Sequence, residues 1–149
     1  MLDNLERSRG PTSGAARSAR QSVSVEVRND TGSDIGRFGV VGLGAPLILP
    51  SVNEPEFLRR ITLSGQLIAH EADFDLKWGI AQQPIRTGEI GEVVVQGLSF
   101  AKIDDATATT AMPKDGSLTL LTKADCGLAR VLWVEPTLAA TKWCLVCLG

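Results

Sequence analysis

With 149 residues, 44% of them hydrophobic, the chain is long enough to bury a core without disulfides or metals. Its net charge of -2 argues against a generally basic nucleic-acid binder, and no apolar run approaches the roughly 20 residues of a membrane helix. Three cysteines cannot form a complete disulfide framework, and the opening "MLDNLERSRGPTSGAARSARQS" lacks the apolar stretch of an export signal, so reduced thiols in a cytoplasm are expected.

Residues 1–22 differ in texture from the rest. From residue 7 to 22 the segment is rich in Ser, Gly and Ala, carries Arg7, Arg9, Arg17 and Arg20, and holds no acid. Such a stretch buries too little apolar surface to offset the entropy of ordering itself, which predicts a flexible arm. It reads as a solvated tail or, through its arginines, as an arm that orders only against a partner, an acidic protein surface or nucleic acid.

From Val23 to Gly149 a single β domain is expected. "SVSVEVRND" alternates, with Val23, Val25 and Val27 on one face. Turn formers fill residues 29–34. "RFGVVGL" and "LILP" read as extended, broken by Pro46 and Pro50, and residues 51–57 read as a loop. "RRITLSGQLIA" alternates through Ile61, Leu63 and Leu67, with Gly65 as a turn or bulge. "DFDLKWGIAQQPI" places Phe74, Leu76, Trp78 and Ile80 on one face. "EVVVQGLSFAKID" is a strand with a bulge at Gly97 that reshapes the pairing into Leu98 and Phe100. Residues 104–117 read as a loop, and three strands close the chain at 118–122, 129–135 and 142–148. Only "ADCGLA" and "PTLAAT" offer a helical turn, and no internal repeat stands out. About eight or nine short strands separated by Gly, Pro, Asn and Asp predict an all-β fold, a compact β-barrel or β-sandwich.

Each chemical motif meets a simpler structural explanation. Gly39, Gly42 and Gly44 suggest a phosphate loop, but Leu47 stands where a dinucleotide fingerprint needs its third glycine. Ala45 and Pro46 replace the Lys and Ser/Thr of a P-loop, and Pro46 and Pro50 interrupt the helix either motif requires. The expectation is glycine relieving crowding where strands bend or cross. Cys144 and Cys147 form a C-x-x-C, with Cys126 and the single histidine, His70, elsewhere; a strand would send the two cysteines to opposite faces, so buried thiols are expected rather than zinc. His70 has acidic neighbours in Glu71, Asp73 and Asp75 but no nucleophile elbow, and the alternating acids read as the solvent face of a strand. Asp104 and Asp105 open a loop without a full calcium pattern. Trp78, Trp133 and Trp143 fall in core-forming strands and read as core anchors, with a sugar or nucleic-acid platform as the alternative. No catalytic, cofactor-binding or metal residue is assigned.

"VRNDTGSDIGRFGVVGLGAPLILPSVNEPEF", "KWGIAQQPIRTGEIGEVVVQGLSFAKID" and the ending "CGLARVLWVEPTLAATKWCLVCLG" resemble small virion proteins of phages and prophages. The resemblance rests on Trp78, Gly79, Pro84, Ile85, Gly88, Ile90, Gly91, Gly97, Ala101, Trp143, Val146, Leu148 and Gly149, and covers residues 25–149. It implies a non-enzymatic structural protein of the particle, of decoration, neck or fibre type. It would be made in the host cytoplasm, homo-oligomeric, and in contact with capsid, portal or tail proteins through its arm. A carbohydrate- or receptor-binding β module is the alternative, using exposed tryptophan and the carboxylates of residues 104–115. A small hydrolase built on His70 is the third reading.

Overall fold

The computed structural model describes residues 22–69 and 77–149. Arg7, Arg9, Arg17, Arg20, His70, Glu71, Asp73, Phe74, Asp75 and Leu76 lie outside the described residues. The valine alternation becomes β1 (Ser22–Asn29), with Val27 buried and Val23 exposed. There follow β2 (Val40–Pro46), α1 (Pro50–Arg59), β3 (Thr62–Gln66), β4 (Trp78–Ala81), β5 (Ile90–Ile103), β6 (Thr110–Pro113), β7 (Leu121–Lys123), β8 (Ala129–Val134) and β9 (Lys142–Leu148). The fold is all-β and compact.

The nine strands pair in the order β1-β3-β2-β4-β5-β7-β6-β8-β9, and β5 pairs in addition with β1 and with β9. These extra pairings close two five-strand circuits, β1-β3-β2-β4-β5 and β5-β7-β6-β8-β9, with β5 common to both. Only β1–β3 and β5–β7 are parallel. Two hydrophobic cores fill the body, and β2, β4 and β5 contribute to both. Val27, Ile35, Val41, Ala81, Ile85 and Val93 form one core. Trp78, Ile80, Val94, Ile103, Leu121 and Val146 belong to the other, larger one. Consecutive residues Val40–Val41, Ile80–Ala81 and Val93–Val94 are therefore buried in pairs, because a strand between two cores has no solvent face. Gly79 lets β4 lie close on β5: a Cβ there would sit 2.5 Å from a Val93 methyl and from the Val94 carbonyl oxygen.

Two turns of the first circuit are built alike. Gly39 N–H donates to the Gly36 carbonyl at 2.9 Å, and Glu89 N–H to the Arg86 carbonyl at 2.9 Å. Ile35 and Ile85, one residue before each turn, form a bridge with each other. Asn29 locks this region: its Nδ2 donates to the carbonyls of Ser33 (2.7 Å) and Ile85 (2.8 Å), and its Oδ1 accepts from the Thr31 N–H and hydroxyl. This buried amide is fully satisfied.

Several sequence expectations need correction. Residues 50–59 are helical rather than a loop, in two pieces meeting at Asn53 (φ -156°). The Asn53 side chain accepts from Glu56 N–H at 3.2 Å and caps the second piece, which places Pro55 in a first turn where its missing donor is tolerated. Residues 47 and 48 bend instead of extending, and Leu49 returns to extended backbone. In β3 Thr62 and Gly65 are buried on opposite faces; Leu63 shares the Gly65 face and packs against the smaller core, Ile61 and Leu67 are exposed, and Gly65 is a paired strand residue packed on Val27. β6 lies inside the stretch read as a loop, and residues 118–120 precede β7 without joining it.

Candidate functional site

The opening glycines are not a phosphate cradle. Gly42 and Gly44 lie in β2, with Gly42 paired to Gln66 and Trp78, and Gly39 precedes the strand where a Cβ would strike the Leu118 carbonyl oxygen at 2.6 Å. Cys144 is buried and bonds its thiol to the Ala101 carbonyl, whereas Cys147 takes the other face of β9 and Cys126 is exposed. The buried-thiol expectation thus holds for Cys144 and fails for Cys126. Burial pushes the Cys144 thiol up to about 11. Asp104 pairs with Lys114 Nζ at 3.1 Å. Asp105 accepts from the Thr107 N–H and hydroxyl, and these bonds hold its carboxyl below the usual range.

The tryptophans divide. Trp78 anchors the larger core, as its alternation predicts, but Trp133 and Trp143 do not. They stand on the outer face of three adjacent strands, β5, β9 and β8. There Leu98 pairs with Cys147, which pairs with Arg130; Phe100 pairs with Leu145, which pairs with Trp133; and Lys102 pairs with Trp143, whose carbonyl accepts from the Glu135 N–H. Ser99, Ala101, Ile103, Cys144, Val146 and Leu148 alternate inward, so the outer set is fixed by the pleat. Phe100 is 50% exposed, Trp133 49% and Trp143 39%.

Phe38 completes the group from outside the sheet. Its ring meets Phe100 at 6.0 Å and Trp143 at 5.8 Å between centroids, with interplanar angles of 79° and 87°. Arg37 Cζ lies 4.6 Å from the centroid of Phe38, and Lys102 Nζ 4.9 Å from that of Trp143. Phe38, Phe100, Trp133, Trp143 and Glu135 line a recess of about 350 Å³. A second recess of about 420 Å³ shares Phe38 and Phe100 and extends past Leu98 and Gln82 to Ser22.

Phe38 holds φ at +66°, alone in this respect among the described residues other than glycine. It occupies the third position of its turn, where the matching turn at residues 86–89 has Gly88 at φ +83°. A bulky residue in that conformation costs on the order of 1–3 kcal/mol, and such strain gathers at functional sites. The Phe38 N–H, bonded to the Ala81 carbonyl at 2.6 Å, helps hold the turn.

Sequence reasoning missed Phe38 and Phe100 and assigned Trp133 and Trp143 to the core. The readable signal was Arg37-Phe38 between two glycines, a bulky residue inside a turn. No family model matches this chain, and neither a search of curated proteins nor a search of solved structures returns a match.

Proposed function

We propose that the chain is a non-enzymatic structural and interaction protein of a phage-type particle, and that the outer face of β5, β9 and β8 is its docking surface. The observation that carries this reading is the contiguous exposed set Phe100, Trp133, Trp143 and Leu98 on one face of a rigid sheet. Aromatic residues of this kind, ringed by charge from Arg37, Lys102, Arg130 and Glu135, are the composition of an interface centre with a polar rim. The resemblance to virion proteins supplies the setting and the partner class: capsid, portal or tail subunits, or further copies of the chain. Mass spectrometry of particles purified from cells that produce the chain is the test. Its peptides are expected at fixed stoichiometry to the shell proteins, and a Phe100→Ser/Trp133→Ser chain is expected to be depleted from the particles. Absence of the unaltered chain from them would end this reading.

A carbohydrate-binding module is the second reading, favoured by the half-exposed indoles of Trp133 and Trp143. The carboxylates of residues 104–115 do not line the aromatic recess, which takes its acid from Glu135. Saturable quenching of tryptophan emission by added oligosaccharide would favour this module over the structural role.

A further inference from the structure

The recess is shaped for a cation. A pyranose stacks on one open ring face, whereas Phe38 stands nearly perpendicular to both Phe100 and Trp143 and forms a wall beside them. Ring faces hold cations through their quadrupole, and two rings of this group already do so with Arg37 and Lys102. The acid of the recess, Glu135, has no ion-pair partner among the described residues. Aromatic walls with one unpaired carboxylate suit a planar guanidinium, which stacks and donates in a fork.

The chain carries its own supply. Ser22, at the start of β1, lines the adjoining recess, which shares Phe38 and Phe100 with this one. Ser22 pairs with Gly97, and Phe100 lies three residues farther along β5, about 10 Å away. Arg17 and Arg20 precede Ser22 by five and two residues, and five extended residues span up to about 17 Å before any side-chain reach is added. The approach between residues 7 and 22 carries no acid to compete for the guanidinium.

We propose that the recess lined by Phe38, Phe100, Trp133, Trp143 and Glu135 is a guanidinium site, and that it takes an arginine from residues 7–20 of the same chain. The proposal rests on the reading of this face as a docking surface and names what covers it before a partner arrives: a docking partner displaces the arginine.

The test follows the indole N–H resonances of the full ¹⁵N-labelled chain, assigned with Trp133→Phe and Trp143→Phe. In a chain carrying Arg7→Gln, Arg9→Gln, Arg17→Gln and Arg20→Gln, the Trp133 and Trp143 signals are expected to shift while that of Trp78 stays, reporting an intact core. Glu135→Gln in the otherwise unaltered chain is expected to move the same two signals. N-acetylarginine amide added to the four-glutamine chain is expected to return both signals saturably toward their original positions, with affinity roughly fivefold lower once Glu135→Gln is added. Coincident indole positions with and without the four arginines would overturn the proposal, as would a linear, non-saturating response to the probe. Absence of the chain from purified particles would leave these resonances unaffected, so the two readings fail separately.

Discussion

A phenylalanine where the twin turn has glycine separates what the backbone wants from what the surface uses. Most residues favour alanine over glycine, because glycine has more freedom to lose on folding. At position 38 the order inverts, since alanine at φ +66° meets the left-handed penalty and glycine does not. Phe38→Gly is expected to be more stable than Phe38→Ala by about 1 kcal/mol, measured by urea unfolding, while both lose the recess. Cys144 gives a second residue-scale expectation. Its folded thiol titrates near 11 against 9.0 unfolded, so between these values the native state binds the extra proton. The stability this contributes is complete below pH 9 and is lost as pH rises through 11. The unfolding midpoint of the unaltered chain should therefore fall relative to that of Cys144→Val as pH rises from 9 to 11, with the difference between them constant below pH 9. Alkylation in the native state should label Cys126 and spare Cys144.

Elements whose pattern expresses a single face were legible in the chain. β1 and the outset of β4 follow their alternation, and the expected 142–148 strand has the same bounds as β9. What escaped has physical reasons. α1 buries no residue, so it leaves no 3.6-residue signal, and its prolines read as breaks because the restart at Asn53 is invisible in composition. The orientation of Trp133 depends on a register shift between Val131 and Trp133, and no alternation predicts an extra residue. In β3 the alternation holds only for Leu63, half-buried against the smaller core, because Ile61 and Leu67 fall outside the strand and are exposed. Close strand contact, rather than side-chain type, organises the junction of the two circuits. Gly79→Ala is accordingly expected to lose about 1–3 kcal/mol, read as a lower urea midpoint with an unchanged slope, because a methyl group has no room between β4 and Val93–Val94 of β5.

For the whole molecule, the two cores share a wall, and neither can be opened without exposing the other's side of β2, β4 and β5. Unfolding should therefore be a single transition, with Trp78 emission and far-UV circular dichroism changing together; separated midpoints would show the circuits to be independent. Composition and turn spacing made the all-β class readable. The closure of two circuits did not follow from them, since it depends on which distant strands meet. The candidate site was less legible still: it joins one turn to three strands, and only the fold brings Phe38 to Phe100 and Trp143.

Gly97 has Ser22 on one side and Leu148 on the other. The strand at the centre of the molecule is thus completed by residues 126 positions apart in sequence, and the last of them emerges last during synthesis. On the ribosome the second circuit must wait, its larger core unsealed, until β9 clears the exit tunnel. A chain ending at Thr141 should remain a substrate for chaperones and proteases where the full chain escapes them. The larger core is then sealed only by the arrival of the seven-residue β9.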